Sequence, residues 1–413
     1  MLLIDATRRI QNTEVGILLE NDILSILVYA DDIAIIARSP EGAKLALDEL
    51  KDACEEIGMK ISVKKSQAVK SKHVGVVAMR DFPLTTVLVY KYLGVKIQLN
   101  TTYYMLDYSA DRATKANVYC LSTIALAKDS PCPILFAWRI WNTVALPAIM
   151  YGSEAVLIRK KELDDIERAQ AKLAKFMLQV PQSTSNVVAQ VLADFEPIET
   201  IYWRRVLKFY GELHVLDQRT WQYKAFREMM NMEEPIHYCR QIQLMLNRLE
   251  LEHPRDLESK LAQYSADITN QKLEKDNSTC FAIGRVTAQE PTRKSPFLRM
   301  DETAKTYHQL ITMNASLGNR KKRDNSEIRF LDCPLCEDAD QCFNELHLLY
   351  ECEILEQERI STGIRMFIEE NYHLSCTQLH RSFLNGTDVC KRLKAARILM
   401  DRYFELLDAP MDM

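Results

Sequence analysis

The 413-residue sequence has no unbroken apolar run approaching the roughly 20 residues a membrane span needs, so no membrane partner is expected. A leader pattern is missing too: Met1-Leu2-Leu3-Ile4 meets Asp5 before an apolar stretch of signal-peptide length can build up. The expected location is therefore intracellular, cytoplasmic or nuclear, and not secreted. Without secretory context a disulfide framework is not indicated, and the eleven cysteines read better as free thiols plus one metal site. Internal repeats and low-complexity tracts are absent, and 47% hydrophobic with 27% charged residues lies in the ordinary globular range. Excess positive charge is also missing. The formal net charge of −4 is awkward for a nucleic-acid enzyme, whose phosphate contacts normally show as surplus Lys and Arg. The charge is uneven, however: Lys60, Lys64, Lys65, Lys70, Lys72, Arg80, Lys91 and Lys96 stand against one acid, Asp81, in a basic stretch suited to holding a backbone.

What is present falls into several parts, since a single core rarely grows past about 250 residues. Residues 1–100 mix strand and helix signals, and 101–274 read almost wholly as helix. Residues 275–331 read as a linker with a charged loop, 332–352 as a compact Cys/His segment and 353–413 as terminal helices. In the first part, Ile26-Leu27-Val28-Tyr29 and Ile33-Ala34-Ile35-Ile36 are β-prone runs on either side of Ala30-Asp31-Asp32, which predicts a hairpin with acids at its tip. Ser39 is placed to cap a helix over about Ala43 to Ile57, which Gly58 ends. Strands are expected at Lys60–Val63, Val74–Met79, and Val87–Tyr90 paired with Val95–Leu99.

Two adjacent carboxylates at a strand turn form a site that a divalent cation relieves of charge repulsion. Phosphoryl transfer uses such sites, because two Mg²⁺ ions about 4 Å apart stabilise the attacking and leaving oxygens. Asp-Asp alone reads first as a surface turn, where Asp bonds its own backbone.

The flanking residues carry a resemblance. Leu27-Val28-Tyr29-Ala30-Asp31-Asp32-Ile33 resembles the YxDD motif of reverse transcriptases. Gly58-Met59-Lys60-Ile61-Ser62-Val63-Lys64-Lys65-Ser66 resembles that family's next block, and Tyr90-Lys91-Tyr92-Leu93-Gly94 its primer-grip block, in the same order. Leu146-Pro147-Ala148-Ile149-Met150-Tyr151-Gly152-Ser153-Glu154 is similar to a segment that follows the thumb in non-LTR retrotransposon polyproteins.

The resemblance implies an α+β first part, a partial polymerase palm with a YxDD β-hairpin, followed by a mainly α-helical thumb and connection-like region and a small zinc knuckle. It implies RNA-templated addition of deoxynucleotides to a DNA 3′ end, with RNA template, DNA primer or target, and dNTP as partners. Asp31 would be a direct Mg²⁺ ligand and Asp32 its weaker companion. Tyr29 would sit near the primer end, and Tyr92 and Gly94 would support its terminus. Lys65 would assist the departing pyrophosphate, beside Lys64 on the nucleic acid; a solvated strand end is the plainer reading of both lysines. Ser62 and Ser66 stand where the family usually has asparagine and threonine. The family's further metal-binding aspartate, its Pro-Gln-Gly motif and its fingers need more room than residues 1–28 offer, and Asp5 and Asp22 lack the required setting. The expectation is a truncated reverse transcriptase, inactive alone, because electrostatic stabilisation supplies nearly all of this catalysis.

The second sharp feature is Cys333-x2-Cys336-x10-His347-x4-Cys352, three thiolates and an imidazole suited to a closed, structural tetrahedral Zn²⁺ site. Cys342 is a substitute ligand or an unrelated thiol, and buried reduced thiols are the alternative for the whole set. Arg320-Lys321-Lys322-Arg323 nearby reads as an RNA or DNA contact, a nuclear-import signal or a solvated loop. Trp138, Trp141, Trp203 and Trp221 are read as core. The competing function is a non-catalytic RNA- or DNA-binding remnant with a structural zinc knuckle.

Overall fold

A computed structural model describes residues 4–69, 77–79, 82–97, 111–130, 133–231, 238–251, 254–275, 302–311, 333, 335–336, 346–384 and 388–408. These fall into two compact units, one from Met1–Asp111, Met150–Leu163 and Ile201–Leu261, the other from Arg112–Ile149, Asp164–Thr200 and Ala262–Met413. Most of the described chain is helical, with small sheets confined to the first hundred residues, an α+β composition.

In the first unit, α1 (Ile4–Gln11) leads into the hairpin β1 (Ile17–Leu19) and β2 (Asp22–Leu24). The hairpin β3 (Ile26–Tyr29) and β4 (Asp32–Ile35) follows, then α2 (Pro40–Glu56). The apolar faces of α1 and α2 close over the root of the β3–β4 hairpin. Ala6, Ile10, Ile26, Ala46, Leu50, Ala53 and Cys54 are buried there, with Val15, Ile33, Ile35 and Ile61 packed against them. Arg9 clamps Glu56 through two hydrogen bonds of 2.8 and 2.6 Å at the solvent edge of this pair. Ser39 caps α2, accepting from the Gly42 amide at 3.0 Å, and Pro40 supplies a preset first turn. The helix stops in a Schellman turn: Gly58 takes φ +74°, Met59 N–H reaches Cys54 O at 2.8 Å and Gly58 N–H reaches Glu55 O at 3.0 Å.

Lys60–Val63 does not form a strand. Ser66 donates from both N–H and Oγ to Ser62 O, each at 3.0 Å, so a serine-closed turn over 62–66 outcompetes the β-prone Ile61-Ser62-Val63 run. Beyond it β5 (Gln67–Val69) pairs in parallel with β8 (Thr85–Val87), and β6 (Ala78–Met79) pairs with β7 (Phe82–Pro83). The last hairpin joins β9 (Tyr90–Tyr92) to β10 (Val95–Ile97), so Tyr90 and Tyr92, not Val87, pair with the Val95 run. Its two-residue turn, Leu93-Gly94, has positive φ at both positions (+47° and +84°), as a type I′ turn requires.

The helices of the first unit include most of Ile198–His214, then Trp221–Met230 and Tyr238–Arg248, with the chain breaking at Leu216. Tyr202 and Tyr238 are buried and satisfy carbonyls: Tyr202 Oη donates to Val156 O at 2.9 Å, and Tyr238 Oη donates to Glu154 O.

In the second unit the run Pro133–Ile149 is continuous but loosens into a π-turn over Trp141–Ala145. The reason is Pro147, which has no N–H to give to residue 143 and whose ring crowds that carbonyl; widening the preceding turn absorbs both. Trp141 is fully buried and donates to Gln170 Oε1 at 3.0 Å, whereas Trp138, Trp203 and Trp221 are only partly buried. The stretch read as linker contains the helix Glu302–Ile311. Tyr307 and Leu310, three apart on one face, are buried and His308 Nδ1 donates to Leu178 O at 3.2 Å, so tertiary packing overrides the polar composition. Arg320–Arg323 and Cys342 lie outside the described residues. Among the described residues no helix is long and apolar enough to cross a membrane.

Candidate active and metal sites

The β3–β4 hairpin pairs Ile26 with Ile35, Leu27 with Ala34, Val28 with Ile33 and Tyr29 with Asp32. Ile26 is buried in the core at the root, while Tyr29, at 65% exposure, and both acids stand at the solvent end. Ala30 takes φ +52°, a left-handed conformation that lets two residues reverse the chain. Asp31 thus sits in the turn and Asp32 opens β4. Among the described residues neither carboxylate forms a hydrogen bond or ion pair with another side chain, and no third acid joins them in a ligand-sized group.

The β9–β10 turn belongs to the same unit. Burial raises the Tyr92 phenol above its ordinary range, and the negative field of Asp32 adds to the shift, then that of Tyr90. Tyr92 and Asp32 are thereby electrostatic neighbours. The turn is held from outside by Tyr151, whose Oη donates to Leu93 O at 3.1 Å and whose ring lies 2.9 Å from where a Cβ on Gly94 would be. Gly152, at φ +68°, likewise lies where a Cβ would come within 2.7 Å of Val95 Cγ2. Glu154 of the same segment accepts from Arg205 at 3.1 Å. Lys64 and Lys65 project from the exposed 62–66 turn, whose base is Ile61 in the α1–α2 core; Lys65 makes no ion pair with Asp31 or Asp32.

In the second unit, Cys333, Cys336, His347 and Cys352 place one ligand atom each within 4.8 Å of all the others. Cys333 Sγ and Cys352 Sγ are 3.9 Å apart, and Cys336 Sγ lies 3.4 Å from His347 Nε2. Cys333, His347 and Cys352 are buried. A π-turn over His347–Glu351, closed by Cys352 N–H to His347 O at 2.8 Å, makes the x4 spacing work. On an α-helix, positions five apart diverge by about 140°; a wider turn brings them to one side. Burial pushes the Cys352 thiol up to about 12, with the negative field of Cys333 adding to it, and burial raises Cys333 as well. Thiols crowded in this way stay protonated alone and release protons to a divalent cation. Three soft sulfurs and an imidazole within one coordination sphere fit Zn²⁺.

Comparison with known proteins bears on the first unit. Residues 5–97 match the reverse transcriptase (RNA-dependent DNA polymerase) family model. Over that stretch the chain is similar to a reverse transcriptase domain. That match takes in both acidic and tyrosine hairpins and the lysine turn between them. A transposon-derived protein of Caenorhabditis elegans is 27% identical over 158 residues, 37% of this chain and 56% of the relative, so the match spans little more than half of that protein.

Sequence reasoning missed three features of the two candidate sites. The Tyr151–Gly94 packing joins segments some sixty positions apart, and only the glycines hinted at it. The π-turn at His347 was foreshadowed by the x4 spacing alone. Arg359, buried behind the Cys/His cluster, reads in sequence as one more helical charge.

Proposed function

We propose that this chain is part of a non-LTR retrotransposon reverse transcriptase, an RNA-directed DNA polymerase that joins deoxynucleotides to a DNA 3′ end on an RNA template. The reading is supported above all by the β3–β4 hairpin, which presents Tyr29, Asp31 and Asp32 together at an exposed tip on a buried root. Asp31 and Asp32 would hold Mg²⁺, whose chemistry is to stabilise charge on the oxygens that form and break bonds to phosphorus. Tyr29, Tyr92 and Gly94 would support the primer end, and Lys64 and Lys65 the nucleic-acid backbone and the departing pyrophosphate. Residues 101–274 would act as thumb and connection. Cys333, Cys336, His347 and Cys352 would hold a structural Zn²⁺ that ties the segment after residue 332 to the terminal helices.

The 413 residues by themselves are proposed to be inactive, because the tip offers two carboxylates and, among the described residues, no third. The same observation favours the second reading, a non-catalytic RNA- or DNA-binding remnant. Both are tested with the full chain on a primed RNA template, by anisotropy titration at several salt concentrations and by extension with dNTPs and Mg²⁺. Binding that weakens steeply with salt, and weakens further in Lys64→Ala/Lys65→Ala, is expected without extension. Extension abolished by Asp31→Ala would overturn the inactivity, and absence of binding at low salt would overturn both readings.

A further inference from the structure

The four-residue cluster rests on two groups that are not ligands. His347 turns Nε2 toward Cys336 Sγ, and its other nitrogen, Nδ1, lies 3.6 Å from Glu351 Oε2. An imidazole offers the Nε2 lone pair to a cation only when its proton sits on Nδ1, and a carboxylate beside Nδ1 favours that tautomer and fixes the ring plane. Glu351 is four residues beyond His347, one turn along, at the end of the π-turn.

Arg359 is the second group. Its side chain is fully buried, a costly place for a guanidinium unless its donors find partners. They do: it donates to Cys352 O and to Leu348 O, the latter at 3.5 Å, and Glu356 Oε2 accepts from it at 2.9 and 2.7 Å. Both carbonyls belong to the turn that carries His347 and Cys352.

We propose that Glu351 and Arg359 are positioning residues of the Cys333/Cys336/His347/Cys352 metal site. Glu351 holds the proton on His347 Nδ1, and Arg359 locks the turn carbonyls so that His347 and Cys352 converge. The inference rests on the zinc reading of this cluster and goes beyond it in naming what sets its affinity.

The test titrates the full chain with Co²⁺, following sulfur-to-metal charge-transfer and d–d bands, and measures Zn²⁺ affinity by competition with a chromophoric chelator. Glu351→Ala should weaken Zn²⁺ by about 10- to 100-fold and shift the d–d bands, while Glu351→Gln, which keeps a side-chain oxygen near Nδ1 without the charge, should recover part of the loss. Arg359→Met should weaken binding and lower the charge-transfer intensity as Cys352 disengages; Arg359→Lys, reaching one carbonyl, should fall between. A residue that only stabilises the fold would leave the Co²⁺ bands in place. Glu351→Ala and Arg359→Met affinities both within about twofold of the parent, with unchanged bands, would overturn the proposal and leave the zinc reading standing. A parent chain that takes up neither metal would remove the zinc reading and this inference with it.

Discussion

The ring of Tyr151 occupies the space that a side chain on Gly94 would need, 2.9 Å from the missing Cβ, while its hydroxyl donates to Leu93 O at 3.1 Å. The Tyr151–Gly152 segment thereby braces the turn next to Tyr92. Gly94→Ala meets two costs, a left-handed backbone at φ +84° and the clash with the ring. Together they should destabilise the domain by about 2 kcal/mol. In a Tyr151→Ala background the clash is gone, and the Gly94→Ala penalty should fall to about 1 kcal/mol, the backbone part alone. Denaturant midpoints of the four proteins measure this coupling. Additive losses would mean that Tyr151 does not press on the turn.

Two buried histidines give the second unit a pH dependence. Burial pushes His308 and His380 down to about 4 from an ordinary 6.5. His308 donates to Leu178 O; His380 donates from Nε2 to Leu310 O at 3.3 Å and accepts from Tyr350 Oη at 3.1 Å. Between about pH 6.5 and pH 4 the unfolded chain binds protons that the folded chain refuses, so stability falls as pH drops through that window and is insensitive to these groups above it. Each contributes on the order of 3 kcal/mol of loss by pH 4. Urea midpoints between pH 7 and pH 4.5 should fall less steeply in His308→Gln and His380→Gln than in the parent; parallel slopes would contradict the assignment.

On the zinc reading, chelation should loosen the segment around the Cys/His cluster. Structural zinc contributes apparent binding energy on the order of 10 kcal/mol near pH 7 in zinc-finger peptides, and here the ligand turn is tied to the helix Glu356–Thr362 through Arg359. A chelator should lower the thermal midpoint by about 5 °C or more, and Zn²⁺ but not Mg²⁺ should restore it. An unchanged midpoint would leave the cluster as three free thiols beside a buried histidine.

Much of the local chemistry was legible before any coordinates. The β-prone runs around Ala30-Asp31-Asp32 foretell the hairpin because strand propensity and turn chemistry are both local. Ser39 and Gly58 bound α2 for the same reason. The ligand spacing of the Cys/His segment forecasts the cluster. Where non-local packing decides, composition misleads: the helix Glu302–Ile311 lies in a polar stretch read as linker, and its buried Tyr307 and Leu310 draw their stability from partners far along the chain. At Ser62–Ser66 two serine hydrogen bonds outweigh strand propensity.

The most direct test of the polymerase lineage is to place a photoreactive thiothymidine at the primer 3′ terminus, bind the primed RNA template to the full chain, irradiate and map crosslinked peptides by mass spectrometry. The account predicts crosslinks on the hairpin tip, Tyr29–Asp32, and on the Tyr90–Gly94 turn, lost when the primer is left out. Crosslinks confined to other segments, with both hairpins unlabelled, would contradict it.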